Sequence, residues 1–552
     1  MLSSSSTGNP CGAGGQPRYV GLRVLGVLFA GLTAGSGCGG GGGAATEPPP
    51  PPPPVVLRPE VKQETLMDIT GRDAYKGEAG VGYAHVCPGA DDRQGPRSFL
   101  LVVSGFAPDR IDAQPLDGEL ESSCATHDTN VNYHRVGSRW INGADYIQRN
   151  AGVIRQLIEL MTSRYEIDGD DRFAVVGYSM GGLVSRYALQ TMESEGVSNN
   201  VDLFVSVDAP QQGAYVPIGV QHIVKLFKDY GARPMLNEID SPAAKQMLIY
   251  HYRQGSREQT WTDDYKALYF DELDGMLGGF LHDESIRTVG VSSGRTGGEL
   301  NRPRPGEVFY TGTLDRSETE TYEHKIDQAP CKMTLEFDVK IDVHITPTVR
   351  SLGLRPTQFL PPYSIIYPNH VIVATSQAST EIDGIDIDNE DALVKHFKSL
   401  TKAQTSFFCD FFVTDKNVRG IVKDIVEDND DEIEQFDNKS YLVPPDGVLT
   451  EGAPGGLSHV IGDLKTRLAD NGFRLGNIDA AIRNQKENVF IPFNSALMLS
   501  GINPLRSYDH ATLAAASAFD SIYYEQSENL YHLESNSVWF EKEVLALFDV
   551  QR

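Results

Sequence analysis

The chain is 552 residues long, enough for two to four domains or for one large fold carrying insertions. Its 48 Lys and Arg against 75 Asp and Glu leave a net charge of −27 and an isoelectric point near 4.9. A field of that sign repels nucleic acid and anionic lipid surfaces, which excludes nucleic-acid binding as its task.

Residues 24–34 (VLGVLFAGLTA) form an apolar run behind Arg18 and Arg23. The run is too short to span a bilayer and has the length of a signal-peptide core. It leads into Gly35-Ser36-Gly37-Cys38, which resembles a bacterial lipobox, where small residues precede a cysteine that takes lipid and becomes the mature N-terminus. Gly35 stands where that motif usually has Leu, and a plain secretory signal is the other reading. Both export the protein. Residues 1–38 are therefore expected to be a signal peptide with Cys38 as the lipidation site, anchoring the protein at the cell envelope. Residues 39–57, with five glycines and then seven prolines in a row, read as a tether. Beyond Cys11 and Cys38 lie Cys87, Cys124, Cys331 and Cys409. In an oxidising compartment these allow two disulfides in three connectivities, with Cys87–Cys124 preferred because the two flank one expected strand. No CxxC spacing suggests zinc.

Residues 98–104 (SFLLVVS) have the continuous apolar character of a buried parallel strand, ended by Gly105-Phe106. Residues 142–161 place Ile147, Ala151, Ile154, Ile158 and Met161 at helical spacing. A second apolar run, 173–176 (FAVV), meets Gly177-Tyr178-Ser179-Met180-Gly181, and Val184, Ala188 and Met192 then recur every fourth residue. Strand, sharp turn and helix together make a nucleophile elbow with Ser179 at its apex and exposed at the positive end of the helix. The glycines leave room where a Cβ would strike a neighbouring strand or helix. In such a site the oxyanion donors are the backbone N–H groups of Phe106 (or Gly105) and of Met180.

Residues 201–207 (VDLFVSV) read as the next strand, with Asp208 at its carboxyl edge either capping a turn or orienting a histidine. Residues 217–280 are mostly helical by pattern and read as a lid-like insert. Residues 286–291 (IRTVGV) add a sheet strand. From about 294 to 486 the texture changes: 334–345 (TLEFDVKIDVHI) alternates in period two, with further strand candidates at 307–313 and 368–374. The carboxylate-rich stretches 381–391 and 424–434 do not fit the EF-hand spacing and read as solvated acidic loops, with calcium binding as the alternative. Residues 489–492 and 521–524 (SIYY) are strands, and an amphipathic helix capped by Asn536 or Ser537 closes the chain. His532 lies on the loop between the last strand and that helix; His510 is its competitor.

The blocks DYIQRNA at 145–151, GYSMGGLVSRYAL at 177–189, VDAPQQGAYVPIG at 207–219 and VFIPFNSAL at 489–497 stand in that order. They resemble exported lipase/esterase-like α/β-hydrolases, which carry YIQRNA, SMGGLxSRYAL, DxPxxGAxxPxG and FIPxxSAL. Where that family has His after Pro, this chain has Gln211. The resemblance implies an α/β fold, a mostly parallel central sheet flanked by helices. Its core would be 58–293 and 487–552, with the lid-like helices and a β-rich acidic insertion, 294–486. It implies carboxylic-ester hydrolysis through an acyl-enzyme on Ser179, with His532 as base, an ester or lipid substrate, the lipid-anchored membrane as partner and no cofactor or metal. The acid stays open among Asp208, Glu487 and Asp520, with Asp208 favoured on topology. An amidase or peptidase on this fold, and a surface binding lipoprotein without catalysis, are the competing readings.

Overall fold

The computed structural model describes residues 57–549 except 91–94, 107–123, 125–131, 141, 227, 229–230, 255–261, 297–307, 312, 329–330, 351–369, 373, 406–408, 410–412, 431–439, 443–453, 459–465, 467–469, 471–473, 477–487, 504–505 and 536. The expected signal peptide, Cys38 and the tether up to residue 56 lie outside the described residues, as do Glu487 and Asn536.

Eight strands form the central sheet. In chain order they are β1 (Glu64–Thr70), β2 (Val81–Cys87), β3 (Ser98–Val103), β4 (His134–Trp140), β5 (Arg172–Tyr178), β6 (Leu203–Val207), β7 (Arg287–Arg295) and a last strand, Ser521–Glu525. They stand side by side as β1, β2, β4, β3, β5, β6, β7 and the last strand. Pairing is antiparallel at β1–β2 and β2–β4 and parallel from β4 through to the last strand.

The faces of this sheet follow from strand alternation. Phe99, Leu101, Phe173, Val175 and Phe204 point to one side, where the helices Ile147–Tyr165 and Met180–Ser194 contribute Ile154, Leu157, Ile158, Leu183 and Val184 to the same core. Leu100, Ala174, Val176, Leu203, Val205 and Val289 point to the other, against Trp539, Val544 and Phe548 of the closing helical segment. Both faces are covered, which is why β3 and β5 read as unbroken apolar runs. A mostly parallel sheet, helices on both sides and a strand–elbow–helix unit after β5 make this the α/β-hydrolase fold.

The floor of the sheet is tied by a buried ion cluster. The Asp171 carboxylate, at the entry to β5, accepts from the Arg97 backbone N–H (2.7 Å) and its guanidinium (3.1 Å) at the entry to β3. Arg58 donates to the same carboxylate at 2.7 Å and to Asp168 at 2.8 Å.

The stretch expected to be lid-like is fastened to the body over much of its length. The helical turns Asp263–Lys266 and Ala267–Met276 bury Tyr265, Leu268, Tyr269 and Leu273. Tyr187 of the elbow helix donates to Glu272 at 2.8 Å, and Tyr269 donates to the Pro210 carbonyl. Upstream, Gln246 accepts from the Ile147 N–H at 2.8 Å, and His251 is fully enclosed with Nε2 3.1 Å from the Ile239 carbonyl. Burial lowers the His251 imidazole to about 4, with Lys245 and Arg253 adding repulsion and Asp240 opposing it. An unfolded histidine titrates near ~6.5, so between those two values the unfolded chain takes up a proton that the folded chain does not. Stability is therefore present above pH ~6.5 and is lost as pH falls toward about 4. Denaturant melts across this window should show the decline in the parent and a flatter profile in His251→Gln.

Residues between β7 and the last strand build a second layer pair. Strands Thr313–Gln328 and Cys331–Arg350 form a long antiparallel hairpin, extended by Ala374–Ile382. The alternation read at 334–345 belongs to a strand of 20 residues: Leu335, Phe337, Val339 and Ile341 are buried while Glu336, Asp338 and Lys340 face solvent. The buried face is in one core with Leu393 and Phe397 of helix Glu390–Gln404 and with Val418, Ile421 and Val422 of helix Asp415–Asp430. That second helix corrects the acidic-loop reading over 424–430, whose carboxylates lie on a helix with Val418, Val422 and Ile425 buried. Disulfides join Cys87 to Cys124 and Cys331 to Cys409.

Candidate active site

The elbow is built by packing at its base. Ser179 sits at φ 52° and ψ −128°, a conformation ordinary side chains avoid. Its N–H donates to the Val207 carbonyl at 2.9 Å, which fastens the apex to the end of β6. A Cβ on Gly177 would come within 2.5 Å of the Gly181 carbonyl oxygen, and one on Gly181 within 2.5 Å of the Val103 and Ser104 oxygens. Only glycine lets β5, the helix and the end of β3 approach this closely.

Asp208 follows β6 directly at φ 43° and is fully buried. Its N–H donates to the Val291 carbonyl at 2.7 Å, and its Oδ1 accepts from the Ser293 N–H at 3.1 Å. The loop after it is held from the elbow helix: Arg186, wholly buried, donates to the Gln211 carbonyl at 3.1 Å, and Gln211 donates to Ser206 at 2.8 Å. Burial lowers the Arg186 guanidinium to about 10, with Asp274 as the opposing influence. Gln211 thus occupies the slot where the resembling family has histidine, and serves there as a packing amide.

His532 arrives from the loop after the last strand. Its Nε2 lies 2.8 Å from Ser179 Oγ and its Nδ1 lies 2.7 Å from Asp208 Oδ2. The chain brings these three side chains together from the ends of three strands although the outer two are 353 residues apart. The chain after β3 passes beside the serine: a Cβ on Gly105 would lie 3.0 Å from Ser179 Cβ and 3.6 Å from its Oγ. Phe106 follows, half-buried, and Met180 opens the elbow helix.

The remaining acid and base candidates lie elsewhere. Asp520 precedes the last strand and accepts from the Thr288 N–H (2.8 Å) and hydroxyl (2.9 Å), at the opposite end of the sheet from the serine. His510 begins a short helix and stacks on Tyr524 with ring centroids 5.8 Å apart. Ser293, Leu457 and Phe490 are part of the site's framework but were not singled out in the sequence. The Phe490 and His532 rings stand nearly perpendicular with centroids 5.1 Å apart. Its one signal was its place inside the FIPFNSAL block. Among the described residues, no group of three or more His, Cys, Asp and Glu side chains is arranged to hold a metal ion.

A family model described as PGAP1-like alpha/beta domain matches residues 126–271, which include β4, the elbow and Asp208. No curated protein matches the chain. Similar solved structures include an esterase from Pyrobaculum calidifontis, at 13% identity over 43% of this chain and 67% of its own, with a TM-score of 0.25. Another is Est1E from Butyrivibrio proteoclasticus, at 10% identity over 29% and 55%, TM-score 0.19. A third is XC6422 from Xanthomonas campestris, titled a member of a/b serine hydrolase without lid, at 16% identity over 28% and 65%, TM-score 0.19. The chain spans between about half and two thirds of the length of these neighbours.

Proposed function

We propose that this protein is a serine hydrolase that cleaves carboxylic esters through an acyl-enzyme on Ser179. The observation that carries the reading is the continuous hydrogen-bonded line from Ser179 Oγ through His532 to Asp208, at 2.8 and 2.7 Å. In this reading His532 Nε2 takes the hydroxyl proton as Ser179 Oγ bonds to the ester carbonyl carbon. The backbone N–H groups of Phe106 and Met180 stabilise the resulting oxyanion, helped by the positive end of the elbow helix. The tetrahedral intermediate collapses, and the alcohol leaves with the proton from His532. Water then repeats the sequence, releasing the acid and restoring the serine. Asp208 holds the imidazole in the tautomer that accepts at Nε2 and balances its transient positive charge.

We further propose that the protein works outside the cytoplasm, tethered through Cys38. The signal-like segment supports this, and so do two disulfides within the described residues, since such bonds persist in oxidising compartments.

Labelling with a fluorophosphonate probe tests the core of the proposal. The purified protein should be labelled stoichiometrically, and the unlabelled protein should hydrolyse p-nitrophenyl esters of graded acyl length, an activity that labelling abolishes. A folded sample that neither reacts nor turns over any ester would leave a binding protein on a hydrolase-like frame as the better reading.

A further inference from the structure

The segment that closes the site over Asp208 comes from the insertion. Strand Gly455–Ser458 pairs antiparallel with Asn488–Pro492 outside the central sheet and reaches the serine side of the molecule. There it makes two backbone hydrogen bonds with the histidine loop: Leu457 donates to the Leu530 carbonyl at 3.0 Å, and His532 donates to the Leu457 carbonyl at 2.8 Å. Asn529 ties the same strand to β7, since its Oδ1 accepts from the Gly455 N–H at 3.3 Å and from the Arg295 N–H at 2.9 Å. Phe490, on the paired strand, supplies the ring that the imidazole rests against.

Gly456 lies over the carboxylate. A Cβ built there would stand 2.2 Å from Asp208 Oδ2, the oxygen that bonds His532 Nδ1. The other oxygen is engaged by the Ser293 N–H on the sheet side. The carboxylate therefore sits between β7 below and the insertion strand above, and the contact surface above it is backbone. A glycine inside a strand commonly marks such a close approach.

We propose that the Gly455–Ser458 strand is a positioning element for catalysis and that Gly456 is the residue that admits Asp208 to the histidine. The inference rests on the serine-hydrolase reading above. The insertion is then part of the site: the central sheet supplies serine and acid, and the insertion supplies the edge on which the histidine loop hangs.

The test is a two-by-two set: parent, Gly456→Ala, Asp208→Ala and the double variant, each measured for ester turnover, rate of fluorophosphonate labelling and melting temperature. In the parent background, Gly456→Ala should lower kcat/KM by about 100-fold with KM nearly unchanged, the scale of an ångström-sized displacement of a catalytic group. In the Asp208→Ala background the oxygen in the way is gone, and the same substitution should cost no more than about threefold, the non-additivity expected of two residues in contact. If Gly456→Ala alone melts too low to assay, adding Asp208→Ala should restore the melting temperature. Equal losses in both backgrounds, or normal turnover by Gly456→Ala, would overturn the proposal while leaving the hydrolase reading intact. A parent that neither labels nor turns over would remove the hydrolase reading and this inference with it.

Discussion

Ser179→Ala, His532→Ala and the double variant should all lose ester hydrolysis to the same degree, on the order of 10⁶-fold in kcat, with the double no worse than either single. In the proposed mechanism serine and imidazole act in one step, so removing either removes the proton transfer that makes the other useful. Two independent contributions would instead multiply. Asp208→Asn keeps the shape of the carboxylate but favours the wrong imidazole tautomer, and its expected loss is smaller, roughly 10⁴-fold. Asp520→Asn should leave turnover within a few fold, because that carboxylate is engaged by Thr288 at the far end of the sheet. Steady-state kinetics on a single ester, at equal concentrations of folded protein measured by absorbance, reads all five variants on one scale. A ranking with Asp520 above Asp208 would move the acid to the last strand.

Asp171→Ala should be the most damaging substitution away from the serine. The carboxylate is fully buried and answers the Arg97 guanidinium, itself 2% exposed, as well as Arg58. Removing it takes the counter-charge from the buried Arg97 cation, which keeps only neutral partners such as the Tyr165 and Pro59 carbonyls, and breaking a buried pair from one side costs about 3–5 kcal/mol. A chain of this size should melt roughly 3–4 °C lower in consequence. Replacing both partners, as Arg97→Met with Asp171→Leu, should recover part of the loss, because an apolar pair of similar volume needs no counter-charge, while the Arg97 backbone N–H and Arg58 still lose their acceptor. Differential scanning calorimetry on the two variants separates this explanation from a simple packing defect, in which the double would melt lower than the single.

The elbow was legible because its constraints are local. Gly177, Ser179 and Gly181 fall within one turn, and the strand before and helix after have apolar patterns of different period. β3 and β6 were legible for the related reason that burial on both faces leaves a nearly continuous apolar run, and the half-buried last strand by its Ile-Tyr-Tyr run. β4 was not, since His134, Arg135 and Ser138 interrupt any apolar run there. They point to neighbours supplied by distant parts of the chain, as His134 does to Gly89. The acid could not be chosen from residue types, because Asp208, Glu487 and Asp520 are equivalent until the strand order is known. In the structure it is Asp208 that meets His532, and Asp520 stands at the opposite edge. The strand at Gly455–Ser458 escaped notice because four residues, two of them glycine, carry no periodicity. Its role comes from what it crosses.

The separation along the chain between serine and histidine also governs when the protein can act. Ser179 and Asp208 emerge from the ribosome more than 320 residues ahead of His532. At the usual pace of synthesis that interval is on the order of 20–60 seconds. During it the nucleophile has no base, whatever the state of the sheet around it. The strand that precedes His532 is parallel to β7 and pairs with it across more than 220 intervening residues, a contact of high sequence separation. On the proposed mechanism, a chain that stops short of His532 should therefore hold Ser179 and Asp208 and show no ester turnover. Such latency would follow from the order of the strands.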